Sequence, residues 1–285
     1  MLQTLKRLVI GRPIATVDEG HQRLPKKVAL PVFASDALSS TAYATDEILH
    51  VLLIGAGIGA AAWSKLVPIA VIVAVLLVIV ITSYRQTIFA YPLGGGSYMV
   101  SKDNLGTIPS LVAASSLLVD YILTVAVSVA GGVLAMRSAF DFDQKWTVPI
   151  CLLCVLLMTL ANLRGLKESG ALFAPPTYLY VLSLMTLIVV GLWRVFVTKS
   201  LDEIDPASVS EEAVELSKGT QALSIMMFLK AFSSGAVALS GVEAISDGVQ
   251  AFKKPESKNA ASTIVVMGAI LGTCFLGVSI LASHL

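Results

Sequence analysis

Charge, cysteine and histidine are all scarce in this chain. Of its 285 residues 14% are Asp, Glu, Lys or Arg and 56% are hydrophobic, and there are three cysteines and three histidines. So small a charged fraction, with a mean hydropathy of +0.83, excludes an ordinary soluble domain. The formal net charge of +1 leaves no basic excess for nucleic acid. Cys151, Cys154 and Cys274 all fall in apolar runs. The first two have CxxC spacing, but a redox or zinc role needs polar access and further ligands, so they read as lipid-buried bystanders. No HExxH helix or nucleophile–base pair is visible, and Gly94-Gly95-Gly96 does not continue into the Gly-Lys-Ser/Thr of a phosphate loop. An enzyme is therefore the least supported class, and no cofactor is implied. The N-terminus is too polar, and its apolar run too short, for a cleaved signal peptide.

What is abundant is apolar sequence in long blocks. Residues 1–27 form a basic tail, and 28–285 read as one all-α integral membrane domain, with apolar segments at about 28–57, 65–84, 109–136, 147–163, 172–193, 220–250 and 261–283. Each lies near or above the roughly 20 residues that a bilayer requires. A cytoplasmic tail places thirteen Lys and Arg inside, six outside and Lys230 within a span, which satisfies the positive-inside rule. The long acidic connection 198–219 then falls outside. With no targeting segment, a bacterial inner membrane is the expected location. Segment 220–250 would run about 46 Å as one helix, too long for a straight span. It and the first segment are rich in Ser, Gly and Ala, and Ser40, Ala44 and Glu47 match Ser240, Ala244 and Asp247 at an offset of two hundred residues. Paired interrupted helices point to the substrate site of an inverted-repeat transporter, so breaks are expected in the first and sixth spans.

Asp36 lies inside the first span with no Lys or Arg beside it, Asp120 inside the third and Glu243 inside the sixth. An intramembrane acid costs about 2.5 to 3.5 kcal/mol on insertion scales and marks a pathway by default. Counted from the cytoplasmic ends, all three sit about 13 to 17 Å deep at helical rise. Hydroxyls share their faces: Tyr43 with Asp36, Thr124 and Ser128 with Asp120, and Ser240 with Glu243 and Asp247 at i, i+3, i+7. Each acid has a structural alternative: a half-helix cap for Asp36, a protonated packing residue for Asp120, a helix–helix hydrogen bond for Glu243. Tyr43 and Tyr121 could equally pack or anchor. Three acids at one level favour a shared site whose oxygens replace the hydration shell of a hard monovalent cation. Ser35 and Asp36 are expected to cap the restarting first helix, filling the place where an amino-acid carboxylate would dock. Three ionised carboxylates about one such ion leave two negative charges in excess, so one acid is expected to hold a proton, with Asp36 and Glu243 the candidates. Asp46 and Glu47 read as an outer vestibule pair, with Lys230 as partner.

The stretches PLGGGSYMVSKDNLG at 92–106 and SGVEAISDGVQAFKKPESKNA at 240–260 resemble motifs of the amino acid-polyamine-organocation (APC) superfamily. More narrowly, LPVFASDALSSTAYATDEI and LVDYILTVAVS look like those of its KimA-type potassium/proton symporters. The resemblance implies potassium-binding roles for Asp36, Tyr43, Asp120, Tyr121, Thr124, Ser128 and Glu243, with Ser240 where a threonine is usual. It also implies twelve spans, and a soluble C-terminal domain associated with dimerisation and cyclic-di-AMP control. The chain stops after the seventh span, so it reads as an N-terminal part, not expected to transport alone. The alternatives are an amino-acid or polyamine permease of the same superfamily, or a non-transporting membrane sensor or subunit.

Overall fold

The structure, a computed structural model, describes residues 22–56, 60–163, 165–199 and 225–284. Most of the basic tail and of the acidic connection lies outside these. The described residues form helices α1 (Lys26–Ala56), α2 (Ala60–Ala90), α3 (Gly96–Leu105), α4 (Thr107–Phe140), α5 (Thr147–Asn162), α6 (Leu166–Trp193), α7 (Ile225–Gly235), α8 (Ala244–Asp247) and α9 (Glu256–Ala282). Six described segments are long and apolar enough to cross a membrane. The 31-residue α1 is also long enough, but Asp36, Asp46 and Glu47 make it less apolar. The described residues of the expected segments are helical apart from an interruption in the sixth, and α3 is an addition that the apolar runs did not flag.

The two expected breaks turn out differently. Between Ala236 and Ala251 the sixth span gives way to 3-10 turns around the short α8, with Ser240 extended (φ −64, ψ 142) and Gly241 left-handed at φ +81. Ser240, Glu243 and Asp247 therefore do not form a helical stripe, because the ladder their spacing assumed is interrupted among them. In contrast α1 is unbroken from Lys26 to Ala56, so Ser35 and Asp36 do not cap a restarting half-helix. No Gly or Pro occurs from 32 to 54 to open that ladder. Its hydroxyls bond back instead: Ser35 Oγ donates to Val32 O at 3.4 Å, Ser39 Oγ to Asp36 O at 2.7 Å and Thr41 Oγ1 to Leu38 O at 2.7 Å.

The chain divides into two compact units, Met1–Ser35, Tyr84–Thr177 and Glu243–Thr263 in the first, Asp36–Ser83, Tyr178–Val242 and Ile264–Leu285 in the second. In the first, Leu24 pairs with the strand-like end of the broken span, its N–H donating to Ala251 O at 2.7 Å while Lys253 N–H donates to Leu24 O at 3.0 Å. Phe33 stacks on Phe252 at 5.4 Å, and Arg23 forms an ion pair with Glu256. At the turn before α5, Lys145 pairs with Asp143 at 2.7 Å. That ammonium, and then the Lys145 N–H, hold the Asp143 carboxyl below its ordinary range. On α5 Cys151 and Cys154 are free and half-buried, and Cys274 on α9 is free and buried.

The second unit has a core of Ala44, Ile48, Val51 and Leu52 from α1, Leu66, Ile69, Ala70 and Val73 from α2, and Ala231, Ala238 and Phe275. Small residues set the helix spacing, as membrane helices require: a Cβ at Gly235 would stand 2.6 Å from Ile48, and one at Gly277 2.7 Å from Ile188. Asp46, Glu47 and Lys230 are all exposed, and no ion pair joins them among the described residues, so the expected vestibule pairing with Lys230 is not formed. Inside the core, Thr45 and Ser279 share a hydrogen bond of 2.9 Å. A double-mutant cycle with Thr45→Val and Ser279→Ala, read by unfolding of the full-length protein in bicelles, is expected to give a coupling of about 0.6 kcal/mol. Strict additivity would contradict this bond.

Candidate functional site

All eight residues singled out on the sequence lie on α1, α4 or the break, half-buried or buried, and the structure groups them by unit. In the second unit Asp36, Ser40 and Tyr43 occupy one stretch of α1, with the Ser40 and Tyr43 hydroxyls 3.1 Å apart. The break comes against this stretch. A Cβ on Gly241 would stand 2.8 Å from both Asp36 Oδ2 and Ala37 N, so glycine is required there twice, for its positive φ and for the approach. Ser240, beside it, donates its N–H to Val237 O at 3.0 Å. Behind α1, the Tyr180 hydroxyl of α6 reaches Leu38 O at 3.4 Å.

In the first unit α4 presents one face inward. Asp120, Tyr121 and Ser128 are half-buried and Thr124 is 9% exposed, while Val119, Ile122, Leu123, Val125 and Val127 are exposed. A helix in lipid is expected to sort its polar residues this way, and the sorted face carries all four α4 residues chosen from the sequence. Glu243, 7% exposed, opens α8. Its carbonyl accepts from Ser246 N at 2.8 Å, Asp247 N at 3.1 Å and Ser246 Oγ at 2.8 Å. The Tyr121 hydroxyl donates to Asp247 Oδ2 at 3.1 Å and also faces Glu243.

Two features escaped the sequence reading. Asp247 was noticed only as part of a helical stripe and not as a site residue, yet it is the partner of Tyr121. The Gly94–Gly96 run, which resembled a loop motif without a stated role, lies against Asp247: Gly95 N–H donates to Asp247 O at 3.2 Å, and all three glycines have positive φ. The available signal was the pair itself, a triglycine and an intramembrane aspartate, but nothing in one sequence joins positions 150 residues apart.

Among the described residues no group of three His, Cys, Asp or Glu side chains meets as a transition-metal centre needs. The oxygens on display are hydroxyls, carboxylates and main-chain carbonyls, a hard donor set suited to alkali cations and protons.

The description "amino acid permease" applies to a family model that matches residues 32–283. The chain belongs to the amino acid permease family. As a permease-family chain it is not an enzyme, and its apolar helices make it a multi-pass membrane protein. It is similar to the potassium transporter KimA of Bacillus subtilis (strain 168), 48% identical over 284 residues, which is 99% of this chain and 45% of that one. The chain thus spans under half the length of the curated relative it matches.

Gly241 supplies a direct check on the permease break. An l-residue held left-handed costs about 1–2 kcal/mol, before any clash with Asp36. Gly241→Ala is expected to lower the thermal midpoint of the purified full-length protein. An unchanged midpoint would contradict the backbone described for residues 240–242.

Proposed function

We propose that the full-length protein carries potassium across the membrane by secondary transport, coupled to proton symport. The observation that carries this reading is the 48% identity to a potassium transporter across nearly the whole chain. The hard-oxygen donor set at the break and on the inward face of α4 suits the same ion. The residues proposed to contact potassium are Asp36 and Tyr43 on α1, Asp120, Tyr121, Thr124 and Ser128 on α4, and Ser240 and Glu243 at the break. Asp36 or Glu243 is proposed to carry the proton, for the charge reason given above. A cytoplasmic N-terminus is proposed from the distribution of Lys and Arg, and a bacterial inner membrane from the bacterial relative. Dimerisation and cyclic-di-AMP control would belong to parts of the protein beyond these residues, and rest on the resemblance alone.

An amino-acid or polyamine permease is the second reading, supported by the family description. Competition separates the two, since amines and amino acids should leave potassium uptake unchanged if the ion is the substrate. The full-length protein, expressed in a bacterium lacking potassium uptake, is expected to restore growth at low potassium, and Asp120→Asn to abolish that rescue. Uptake by the wild type should acidify the interior of proteoliposomes. Potassium entry with no proton movement would remove the symport, and failure to rescue despite verified insertion would favour the amine permease or a non-transporting role.

A further inference from the structure

Asp247 joins three elements of the first unit by three separate contacts. Its side chain accepts from the Tyr121 hydroxyl of α4 through Oδ2 at 3.1 Å. Its main-chain carbonyl accepts from Gly95 N–H of the α2–α3 loop at 3.2 Å. Its other oxygen, Oδ1, is buried without a hydrogen-bond partner among the described residues and lies where a Cβ on Gly96 would clash with it. A Cβ on Gly94 would likewise strike the Asp247 carbonyl. The triglycine is thus shaped around one residue, on both its side chain and its main chain. A buried carboxylate oxygen without a hydrogen-bond partner is expensive. A packing role alone would be met as well by an apolar residue, whereas a carboxyl here gives Tyr121 an acceptor in a fixed position. Tyr121 also faces Glu243, one turn before Asp247.

We propose that Asp247 is a positioning residue for potassium transport, and so this inference rests on the function proposed above. It holds the Tyr121 hydroxyl in the orientation that contacts the ion, and it clasps the triglycine loop to α8 in the same conformation. Release of this clasp would free α3 and α8 together, because one residue bonds to both sides.

The test uses the full-length protein in proteoliposomes. Asp247→Ala is expected to raise the KM for potassium about five- to tenfold, as loss of one oriented hydrogen bond in a dry site does, with a smaller change in maximal rate. Tyr121→Phe should reproduce that rise, and the double variant should add nothing to it. Asp247→Asn, whose amide oxygen can still accept from Tyr121 and whose shape still fits beneath Gly96, should recover most of the lost affinity. An unchanged KM in Asp247→Ala, or effects that add in the double variant, would overturn the positioning role. A second readout needs no transport: with a cysteine introduced at Ser97, labelling by a small maleimide in detergent should speed up when Asp247 is Ala. Equal labelling rates would overturn the clasp. Faster labelling in a protein that moves no potassium would sink the transport reading while leaving the clasp in place.

Discussion

Main-chain polar groups inside a bilayer have no water to bond, so a chain that leaves the helical ladder there must supply other partners. The rest of this structure depends on how that constraint is met at residues 240–247. Ser240 N–H turns back to Val237 O, and the Glu243 carbonyl gathers the N–H groups of Ser246 and Asp247 together with the Ser246 hydroxyl. Gly241 makes the reversal with a positive φ that side-chain-bearing residues resist. The result is a stretch of irregular backbone at membrane depth with carboxylates next to it. Such backbone persists only where protein buries it or where it lines a polar cavity, and intramembrane acids are tolerated under the same condition.

The chain arranges oxygen donors in two groups, each within its own unit. One comprises Asp36, Ser40 and Tyr43 on the unbroken α1, approached by Gly241. The other comprises the inward face of α4 with Glu243 and Asp247. α1 contains no residue between 32 and 54 that opens a ladder, whereas the second group is held by a short helix, a glycine turn and one phenol.

Much of the fold was legible because membrane insertion writes itself into composition. Long apolar blocks with polar punctuation gave the helical segments of the described residues, and the inward face of α4 was read from Asp120, Thr124 and Ser128 by spacing alone. Excess length and glycine flagged the sixth span as interrupted. The same argument failed for the first span, where serine and alanine without glycine or proline make a continuous helix whose hydroxyls bond to their own backbone. Asp36 was thus given a capping role that a helix running unbroken from Lys26 to Ala56 does not offer. The expected Lys230 pairing failed for an ordinary reason, since exposed long side chains gain little by closing an ion pair. Asp247 was missed as a site residue because its meaning lies in contacts with Tyr121 and the triglycine. Periodicity reports which residues share a face of one helix. It is silent about what a broken helix places beside a loop far away in the chain.

Glu243 and the inward face of α4 are proposed to hold a potassium ion. Thallium substitutes for potassium and scatters anomalously, so a structure of the full-length protein grown with thallium in place of potassium tests it directly. An anomalous peak is expected in coordination range of Glu243 and of the Asp120–Thr124 face. A well-occupied peak elsewhere in the membrane domain, with those oxygens bonded only to protein, would contradict it.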